Sequence, residues 1–308
     1  MKLTIFTPAY NRANLLYRLY ESLQRQTVTC FEWIIVDDAS TDDTQKVVEE
    51  RIINNTKFET YYYCQQHGGK HRAINYALEK AKGEYFFIVD SDDYITDNAV
   101  ELILKWIDDV EGIANIAGVA GLKVSEDGRI WGISKDKDVS QMMGTVVDAT
   151  NFERKKFNLL GDKAEVYKTD ILRKHKFPEF ENEFFVTEAV CWDAIAADGY
   201  KLRWYFEPIY VADYLEDGLT KNGANELRGR INNYKGYCYY ICQSLKIVPL
   251  KERMVRFRAY NKTRKAMEKG IVEAAQDLNV STLKYLYYLL VLMPFVYVLR
   301  MIDKILLK

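Results

Sequence analysis

The densest group of side chains that could do chemistry is the acidic run Asp90-Ser91-Asp92-Asp93. Residues i and i+2 of an extended backbone point to the same side, so the carboxylates of Asp90 and Asp92 can face one site. Left unpaired they would repel one another, and a hard divalent cation such as Mg²⁺ or Mn²⁺ relieves that repulsion. We therefore expect metal or nucleotide chemistry here. The alternative is a helix cap, with Asp92 or Asp93 preceding a helix that begins near Asn98.

A second acidic pair, Asp37-Asp38, is followed by Ala39-Ser40-Thr41. An aspartate in this position can accept a hydrogen bond from a base N–H or a ribose hydroxyl. The same residue types also form turns and helix caps, so the pair alone leaves both interpretations open.

A glycine turn with basic neighbours, Gly68-Gly69-Lys70-His71-Arg72, leads into a predicted helix. Backbone N–H groups at the start of a helix favour anions. Lys70 and Arg72 could therefore neutralise a diphosphate, although the same pattern also suits a solvated loop.

The elements that must position these motifs alternate between strand and helix. Apolar runs predict strands at residues 3–7, 31–36, 58–64 and 84–89, and helical spacing predicts helices at residues 11–26, 42–54 and 72–82. Strands separated by helices of this length predict an α/β fold with a mostly parallel sheet. The acidic groups follow the carboxyl ends of predicted strands, which is the edge where open α/β sheets bind ligands.

The following segment, to about residue 214, is less regular. We predict helices at residues 98–110 and 185–198 and a helix that ends at Lys174; the predicted strands are residues 118–124, 129–133, 164–167, 202–205 and 209–214. Asp127-Gly128 predicts a hairpin turn between the first two of these strands. Neither GxGxxG nor GxxxxGK[ST] occurs, which argues against a dinucleotide-binding dehydrogenase and a P-loop enzyme.

Taken together, the ordered motifs resemble those of family 2 glycosyltransferases, which have the A-type nucleotide-sugar fold. The matching segments are Thr7-Pro8-Ala9-Tyr10-Asn11-Arg12, Ile34-Ile35-Val36-Asp37-Asp38-Ala39-Ser40-Thr41-Asp42, Gly68-Gly69-Lys70 with Ala73 and Asn75, and Ala81-Lys82-Gly83-Glu84-Tyr85 running into Val89-Asp90-Ser91-Asp92-Asp93. Order and spacing both match. The resemblance is strong over residues 1–100, weaker to about residue 220 and absent beyond.

The resemblance implies roles for the matching residues on the donor side. Asp38 would bind the base, usually uracil, and Lys70 would lie near the diphosphate. Asp90 would contact ribose or a metal-bound water, and Asp92 would be the main ligand of Mn²⁺ or Mg²⁺. The remaining residues expected to contact the nucleotide sugar are Pro8, Ala9, Tyr10, Arg12 and Ser91, with Tyr10 against the base.

The resemblance also implies a catalytic base on a downstream helix, within a Glu-Asp pair. Glu188 matches the glutamate of that pair, whereas Ala189 replaces the aspartate. A carboxylate there would deprotonate the acceptor hydroxyl as it attacks the anomeric carbon, with inversion. Glu188 is our candidate and Asp193 is the alternative; read without the resemblance, Glu188 is a surface acid of a helix. Residues 214–220 resemble the loop that closes the family's domain.

The C-terminal part has a different composition. Residues 221–308 contain 17 Lys and Arg against 6 Asp and Glu. A basic stretch at residues 253–269 precedes an uncharged run at residues 285–299, which is shorter than the roughly 20 residues that span a bilayer. We expect this helical tail to lie on the inner face of the cell membrane. The alternative is a helix packed on the domain or on a second subunit, which would make a homodimer.

These features lead to a division of the chain and a location. We predict a catalytic domain at residues 1–224, with a nucleotide-binding half at 1–100 and an acceptor half at 101–224, and the tail at 225–308. The five cysteines are odd in number and no leader precedes the first strand, which favours a reducing cytosol. Cys238 and Cys242 are interpreted as packing residues rather than a zinc site.

The sequence thus predicts a metal-dependent transferase of polysaccharide biosynthesis. It would move a sugar from a UDP-sugar to a glycan or polyprenol-linked acceptor, and nothing indicates a nucleic acid partner. One alternative is a non-catalytic nucleotide-sugar-binding scaffold at the membrane, since the aspartate expected at position 189 is missing. The other is a sugar nucleotidyltransferase, although such enzymes need a glycine-rich loop where this chain has Pro8-Ala9-Tyr10-Asn11-Arg12.

Overall fold

The first half of the chain forms the parallel part of a single sheet. The computed structural model describes residues 1–133, 139–212, 223–296 and 298. The four strands of this half are β1 (Leu3–Ala9), β2 (Phe31–Asp37), β3 (Glu59–Cys64) and β4 (Tyr85–Ile88). They lie in the spatial order β3-β2-β1-β4 and pair in parallel. The intervening helices are α1 (Leu16–Gln24), α2 (Thr44–Val47, continued by a π-helical turn at Val48–Ile52 and a 3₁₀ turn at Ile53–Asn55) and α3 (Lys70–Lys80).

The second half extends the same sheet with mixed pairing. Its strands are β5 (Tyr94–Ile95), β6 (Ile116–Val124), β7 (Val146–Ala149), β8 (Lys163–Lys168) and β9 (Lys201–Val211). Strand β4 pairs with β8 and β8 with β6, both antiparallel, whereas β6 and β9 are parallel. Strands β5 and β7 both pair with β9 in antiparallel fashion. The helices of this half are α4 (Ala99–Asp109), α5 (Thr169–Lys174) and α6 (Ala189–Ala197), and a 3₁₀ helix spans Asn151–Phe157.

Apolar side chains cover both faces of this sheet. Strands buried on both sides need apolar residues at successive positions, and β1 and β2 have them along almost their whole length. Helices α1 and α4 contribute to the core on one face, which includes Leu3, Trp33 and Phe87. Helices α3 and α6 contribute to the core on the other, which includes Phe6, Ile34 and Phe86.

The C-terminal helices form a core of their own and dock on α6. They are α7 (Gly223–Asn232), α8 (Tyr234–Ile247), α9 (Leu250–Ala266), α10 (Ile271–Asp277) and α11 (Thr282–Tyr287), followed by a π-helical turn at Tyr288–Leu292. Their core contains Ile241, Phe257, Tyr260 and Tyr285, and α8 packs against α6. No single helix among the described residues is long and apolar enough to cross a membrane; one pair, bent by 104°, meets the length and composition criteria jointly.

The structure corrects several predicted elements. Residues 202–205 and 209–214 were expected to be two strands, but β9 runs unbroken through Pro208 because register shifts against β6 accommodate the proline. Residues 129–133 make only one bridge, Val124 with Ile130, after the predicted turn. Helix α1 begins at Leu16 rather than residue 11, since Asn11 has a φ of 53°. Helix α6 begins at Ala189 rather than residue 185.

Candidate active site

The loops after β1 and β2 are joined by hydrogen bonds at the carboxyl edge of the sheet. The left-handed backbone of Asn11 places its Oδ1 as the acceptor for the amides of Thr41 and Asp42, at 2.8 and 3.3 Å. The amide of Asn11 in turn donates to Oγ of Ser40. Pro8 and Ala9 are the last residues of β1, so Tyr10 and Arg12 project from a loop that the second loop holds in place.

Asp38 is buried and its carboxylate is used by the glycine turn. Its two oxygens accept hydrogen bonds from the amides of Gly68 and Gly69, both at 2.8 Å. Gln65 Nε2 and His67 Nδ1 approach the same carboxylate at 2.7 and 2.9 Å. Asp38 therefore fixes the turn that begins helix α3. The expectation that Asp38 binds the nucleobase stays a prediction.

Three rings stack above this turn. The ring of His67 lies between Tyr10 and Phe184, with centroid distances of 4.6 and 4.7 Å. Tyr10 and Phe184 are 43% and 47% exposed, so flat apolar faces remain available to a planar ligand. This arrangement is suited to stacking a nucleobase.

Lys70 lies between two carboxylates from distant parts of the chain. Its Nζ is 2.6 Å from Oδ1 of Asp90 and 2.8 Å from Oε1 of Glu188, and all three side chains are partly exposed. Burial disfavours the ammonium, but the charges of Asp90 and Glu188 outweigh it and raise the pKa of Lys70. Burial also opposes the ionised form of Asp90, whose pKa is nevertheless lowered, chiefly by Lys70. At neutral pH the lysine is a cation held against an ionised Asp90.

Tyr210 of β9 and Lys123 of β6 anchor the acidic run through Asp90 and Asp93. The amide of Asp90 donates to the Tyr210 hydroxyl at 2.9 Å, and that hydroxyl donates to Asp93 Oδ2 at 2.7 Å. Lys123 Nζ is 3.6 Å from the same Asp93 oxygen and 4.0 Å from the centroid of the Tyr210 ring. Burial raises the pKa of Asp93 to about 6, with Lys123 opposing the rise. Asp93 is thus a buried anchor rather than a ligand-facing acid.

Asp92 projects differently from its neighbours. Its side chain is 28% exposed, and its Oδ2 is 3.9 Å from a guanidinium nitrogen of Arg12. Ser91 is buried, and the carbonyl of Asp92 accepts a hydrogen bond from Arg18. Within the described ranges no group of three or more His, Cys, Asp or Glu could hold a metal ion on its own. Mg²⁺ and Mn²⁺ are commonly held by one or two carboxylates together with substrate phosphates, and Asp90 and Asp92 are two partly exposed carboxylates of that chemistry.

The two candidates for the catalytic base differ in their exposure to solvent. Glu188 is the N-cap residue of α6 and its side chain is 41% exposed. Asp193 is 2% exposed; one of its oxygens accepts a hydrogen bond from Asn151 at 2.7 Å, and the other pairs with Arg256 of α9. Asp193 is therefore a buried structural acid that an acceptor hydroxyl does not reach, which corrects its choice as the alternative base.

A further carboxyl lies in the sheet near Glu188. Glu165 of β8 has an Arg154 guanidinium nitrogen 3.6 Å from its Oε1. Burial raises the pKa of Glu165 to about 7, with Arg154 opposing the rise and the Glu188 charge adding to it. Arg72, in contrast, donates to the carbonyl of Phe180 at 2.6 Å and lies 3.7 Å from Glu179, so it braces a neighbouring segment instead of a diphosphate.

Comparison with known proteins decides the family. The profile of the family described as Glycosyl transferase family 2 matches residues 4–168, more than half of the chain. The chain belongs to glycosyltransferase family 2. It is an enzyme of that family with the A-type fold, and this membership supports neither the nucleotidyltransferase nor the non-catalytic scaffold.

Two relatives of this glycosyltransferase are bacterial proteins. GalNAc(5)-diNAcBac-PP-undecaprenol beta-1,3-glucosyltransferase of Campylobacter jejuni is 26% identical over 269 residues, which are 85% of this chain and 79% of that protein. Chondroitin synthase of Pasteurella multocida is 41% identical over 102 residues, which are 33% of this chain and only 10% of that protein.

Solved structures share the fold of this glycosyltransferase. S. aureus TarS 1-349 in complex with UDP-GlcNAc has a TM-score of 0.60 at 20% identity, covering 94% of this chain and 81% of that one. The mannosyltransferase PcManGT from Pyrobaculum calidifontis, in complex with GDP-Man and Mn²⁺, has a TM-score of 0.52 at 19% identity, covering 93% and 72%.

The glycosyltransferase site thus brings together most residues expected from sequence. Lys70, Asp90 and Glu188 are in direct contact, and Arg12 approaches Asp92. Reasoning from sequence missed Tyr210, Lys123 and Glu165, which have no motif around them. Glu165 lies between the apolar Ala164 and Val166 of a predicted strand, and a charged residue in that place is a signal that could have singled it out. The predicted closing loop at residues 214–220 lies outside the described residues.

Proposed function

We propose that this family 2 glycosyltransferase moves a sugar from a UDP-sugar to a hydroxyl of a glycan or polyprenol-linked acceptor, with inversion and with a divalent metal ion. The observation that carries the proposal is the contact of Lys70 with both Asp90 and Glu188. It joins a cation suited to a diphosphate, a carboxylate of the metal site and a candidate base within one hydrogen-bond network. The UDP-GlcNAc complex of TarS supports a uridine donor.

The donor would lie along the carboxyl edge of β1 and β4. Tyr10 would stack on the nucleobase, and Asp38 would contact it as well. Pro8, Ala9 and Arg12 would border the nucleobase. Lys70 would bind the diphosphate. Asp92, with Asp90 directly or through water, would hold Mn²⁺ or Mg²⁺, which supplies charge neutralisation to the departing diphosphate.

Glu188 would act on the acceptor. Its carboxylate takes the proton of the acceptor hydroxyl while the hydroxyl oxygen attacks the anomeric carbon, and the bond from that carbon to the diphosphate oxygen breaks in the same step. One displacement inverts the anomeric configuration. A diphosphate that draws Lys70 away from Glu188 would leave this carboxylate free to accept the proton.

The acceptor and the linkage are tested together by a transfer assay. The protein is incubated with Mn²⁺, a panel of UDP-sugars and saccharides linked to polyprenyl diphosphate, and the product is examined by proton NMR. We expect a β-linked product from an α-linked donor. An α-linked product would contradict inversion, and UDP release without transfer to any acceptor would contradict the transferase proposal.

The tail supports a location at the inner face of the cell membrane. Helix α11, the π-helical turn after it and the residues beyond that turn expose Leu283 at 80%, Leu290 at 66% and Phe295 at 53%, and Lys284 is next to Leu283 in the sequence. Apolar side chains flanked by cations suit the surface of an anionic bilayer. Such a position would bring the site to a polyprenol-linked acceptor, the class named in the Campylobacter jejuni relative.

Flotation with phosphatidylglycerol-containing vesicles tests this location. Wild-type protein should float with the vesicles, and the pair Leu283→Gln and Leu290→Gln should reduce the floated fraction by about tenfold or more. Leu160→Gln, which changes an apolar residue 47% exposed in the catalytic domain, serves as the matched control. Loss of dimerisation in the tail variant, with no binding of the wild type to vesicles, would instead assign this face to a second subunit.

A further inference from the structure

The segment that carries Glu188 is held from two sides: residues 176–180 bond to α3, as Asn75 does with Phe177, whereas residues 183–185 bond to the C-terminal helices. Residues 176–188 contain neither helix nor strand, so no backbone ladder fixes them. A segment of this kind takes its position from individual side-chain contacts. The contacts that fix it therefore decide where the Glu188 carboxylate lies.

Asn233, the N-cap residue of α8, holds the middle of this segment. Its Oδ1 accepts hydrogen bonds from the amides of Phe184 and Phe185, at 2.8 and 2.9 Å. Its Nδ2 donates to the carbonyl of Gly229 at 2.9 Å, which fixes the orientation of the amide group. One side chain of the tail thus satisfies two successive backbone donors just before Glu188.

Glu183 ties the same segment to the start of α8. Its oxygens accept hydrogen bonds from the amides of Lys235 and Gly236, at 2.7 and 2.8 Å, and the residue is 7% exposed. A buried carboxylate at the N-terminus of a helix gains from the helix dipole and from the free amides there. A Cβ added to Gly236 would lie 3.2 Å from Cγ2 of Val186 and 3.4 Å from the carbonyl oxygen of Phe185, so the segment packs closely on the start of α8.

Contacts from the tail continue along α6, beyond Glu188. Gln243 Nε2 donates to the carbonyl of Val190 at 2.9 Å, and Arg256 pairs with the buried Asp193. Helices α8 and α9 therefore hold residues on both sides of the N-cap position that Glu188 occupies.

The opposite side of the segment packs on the glycine turn that precedes Lys70. A Cβ added to Gly69 would lie 1.8 Å from the carbonyl oxygen of Phe184, so the two backbones are in direct contact. The ring of Phe184 also stacks on His67. The segment is confined between the tail on one side and the start of α3, with Lys70, on the other.

We propose that Asn233 and Glu183 are positioning residues for catalysis. In this proposal, α8 and α9 hold Glu188, the proposed catalytic base, in place beside the donor site. The inference rests on the proposed function of Glu188. It gives the tail a role inside the catalytic unit, in addition to any attachment to a membrane. Displacement of a catalytic group by about 1 Å lowers a rate by about a hundredfold, so the loss of one such contact is measurable.

The test compares Asn233→Ala with Asn233→Asp in the transfer assay. The alanine removes the acceptor for both amides, and we expect kcat to fall by about ten- to hundredfold while the donor KM changes by less than about threefold. The aspartate loses the donation to Gly229 but keeps an oxygen that can accept from both amides, so it should restore kcat to within about threefold of the wild type. Asn232→Ala, at the exposed last residue of α7, is the matched control and should match the wild type.

Amide hydrogen exchange on the same variants gives a readout that does not depend on activity. Peptides covering residues 183–188 should exchange faster in Asn233→Ala than in the wild type, while peptides of β1 stay unchanged. Wild-type kcat in Asn233→Ala, or equal exchange at residues 183–188, would overturn the inference. An equal fall of kcat in the alanine and aspartate variants would also overturn it. Failure of the wild type to transfer sugar, with exchange altered as expected, would count against the proposed function instead.

Discussion

At the scale of single residues, Lys70 determines the electrostatics of the site. Without its ammonium, Asp90 and Glu188 would be two carboxylates with no cation between them. Coulomb attraction at these separations is strong wherever water is partly excluded, which explains why the pKa of Lys70 is raised and that of Asp90 lowered. The lysine thus keeps the site ionised before any ligand enters.

Replacing Glu188 by glutamine should separate chemistry from binding. Glutamine preserves the shape but cannot accept the proton of the acceptor hydroxyl, so we expect kcat to fall by about 10²- to 10⁴-fold. The affinity for UDP, measured by calorimetry, should be kept or increased, because UDP no longer competes with the Glu188 charge for Lys70. Glu181→Gln, at an exposed position of the same segment, is the control. Full activity of Glu188→Gln would remove Glu188 from the mechanism.

Sequence could predict the residues of this site that occur in local motifs, but not their partners. Asp90, Asp92 and Lys70 follow a strand or precede a helix, and their spacing carries the information. Tyr210, in contrast, bonds to Asp93 across 117 residues of sequence, and only the folded sheet brings them together. The use of Asp38 by its own glycine turn was likewise hidden, because a turn interpretation and a ligand interpretation fit the same residues.

At the scale of elements, apolar runs predicted the parallel strands correctly. Strands β1 and β2 are buried on both faces, whereas the half-exposed edge strand β3 is recognisable by its aromatic residues. The short strands β5 and β7 were missed because both pair only with β9 and contribute little apolar sequence. The start of α6 was predicted four residues too early. Residues 185–188 are apolar or helix-compatible, but contacts with the tail hold them out of the helix.

The turn before α3 offers a sharp test of close backbone packing. Gly69 has a φ of +88°, and a Cβ there would overlap the carbonyl of Phe184. Gly69→Ala should therefore lower the free energy of unfolding by about 3 kcal/mol or more. Gly112, with a φ of +77° and no neighbouring atom within 4 Å, is the matched control, and alanine there should cost only about 1 kcal/mol.

Urea denaturation of both glycine variants measures the difference. Equal losses at the two positions would show that backbone conformation alone accounts for the effect. It would then follow that Phe184 does not press on the turn that carries Lys70.

At the scale of the whole molecule, the site lies where the parallel and the mixed halves of the sheet meet. Lys70 and Asp90 come from the first half, Glu188 from the second, and the helical tail holds the segment between them. Under the proposed function, donor and acceptor chemistry would therefore come from different parts of one chain. The tail contributes to the stability of this arrangement through buried contacts such as Arg256 with Asp193.

Buried His71 should make the stability of the whole molecule depend on pH. It is 2% exposed and neither ring nitrogen has a hydrogen-bond partner within the described structure. Burial lowers its pKa to about 4 from an ordinary 6.5, with Arg72 adding to the fall and Glu179 and Asp38 opposing it. The unfolded chain therefore binds a proton that the native protein excludes, and stability declines as pH falls through 6.5 toward 4.

Comparison with His71→Leu isolates this contribution. Between pH 7 and pH 5 the wild type should lose about 2 kcal/mol more unfolding free energy than the leucine variant. Urea denaturation at both pH values measures the difference, and other titrating groups cancel because both proteins contain them. Identical pH dependence in the two proteins would show that His71 titrates normally.

The central claim is a metal-assisted diphosphate site at Asp90 and Asp92. The most direct test measures the binding of UDP, with and without Mn²⁺, through the melting temperature of the protein. A ligand that binds only the native protein raises the melting temperature according to its affinity. We predict a clear rise when UDP and Mn²⁺ are added together, little change with either alone, and loss of the combined rise in Asp92→Asn. An equal rise without the metal, or an unchanged response in Asp92→Asn, would contradict a metal-assisted diphosphate site at Asp90 and Asp92.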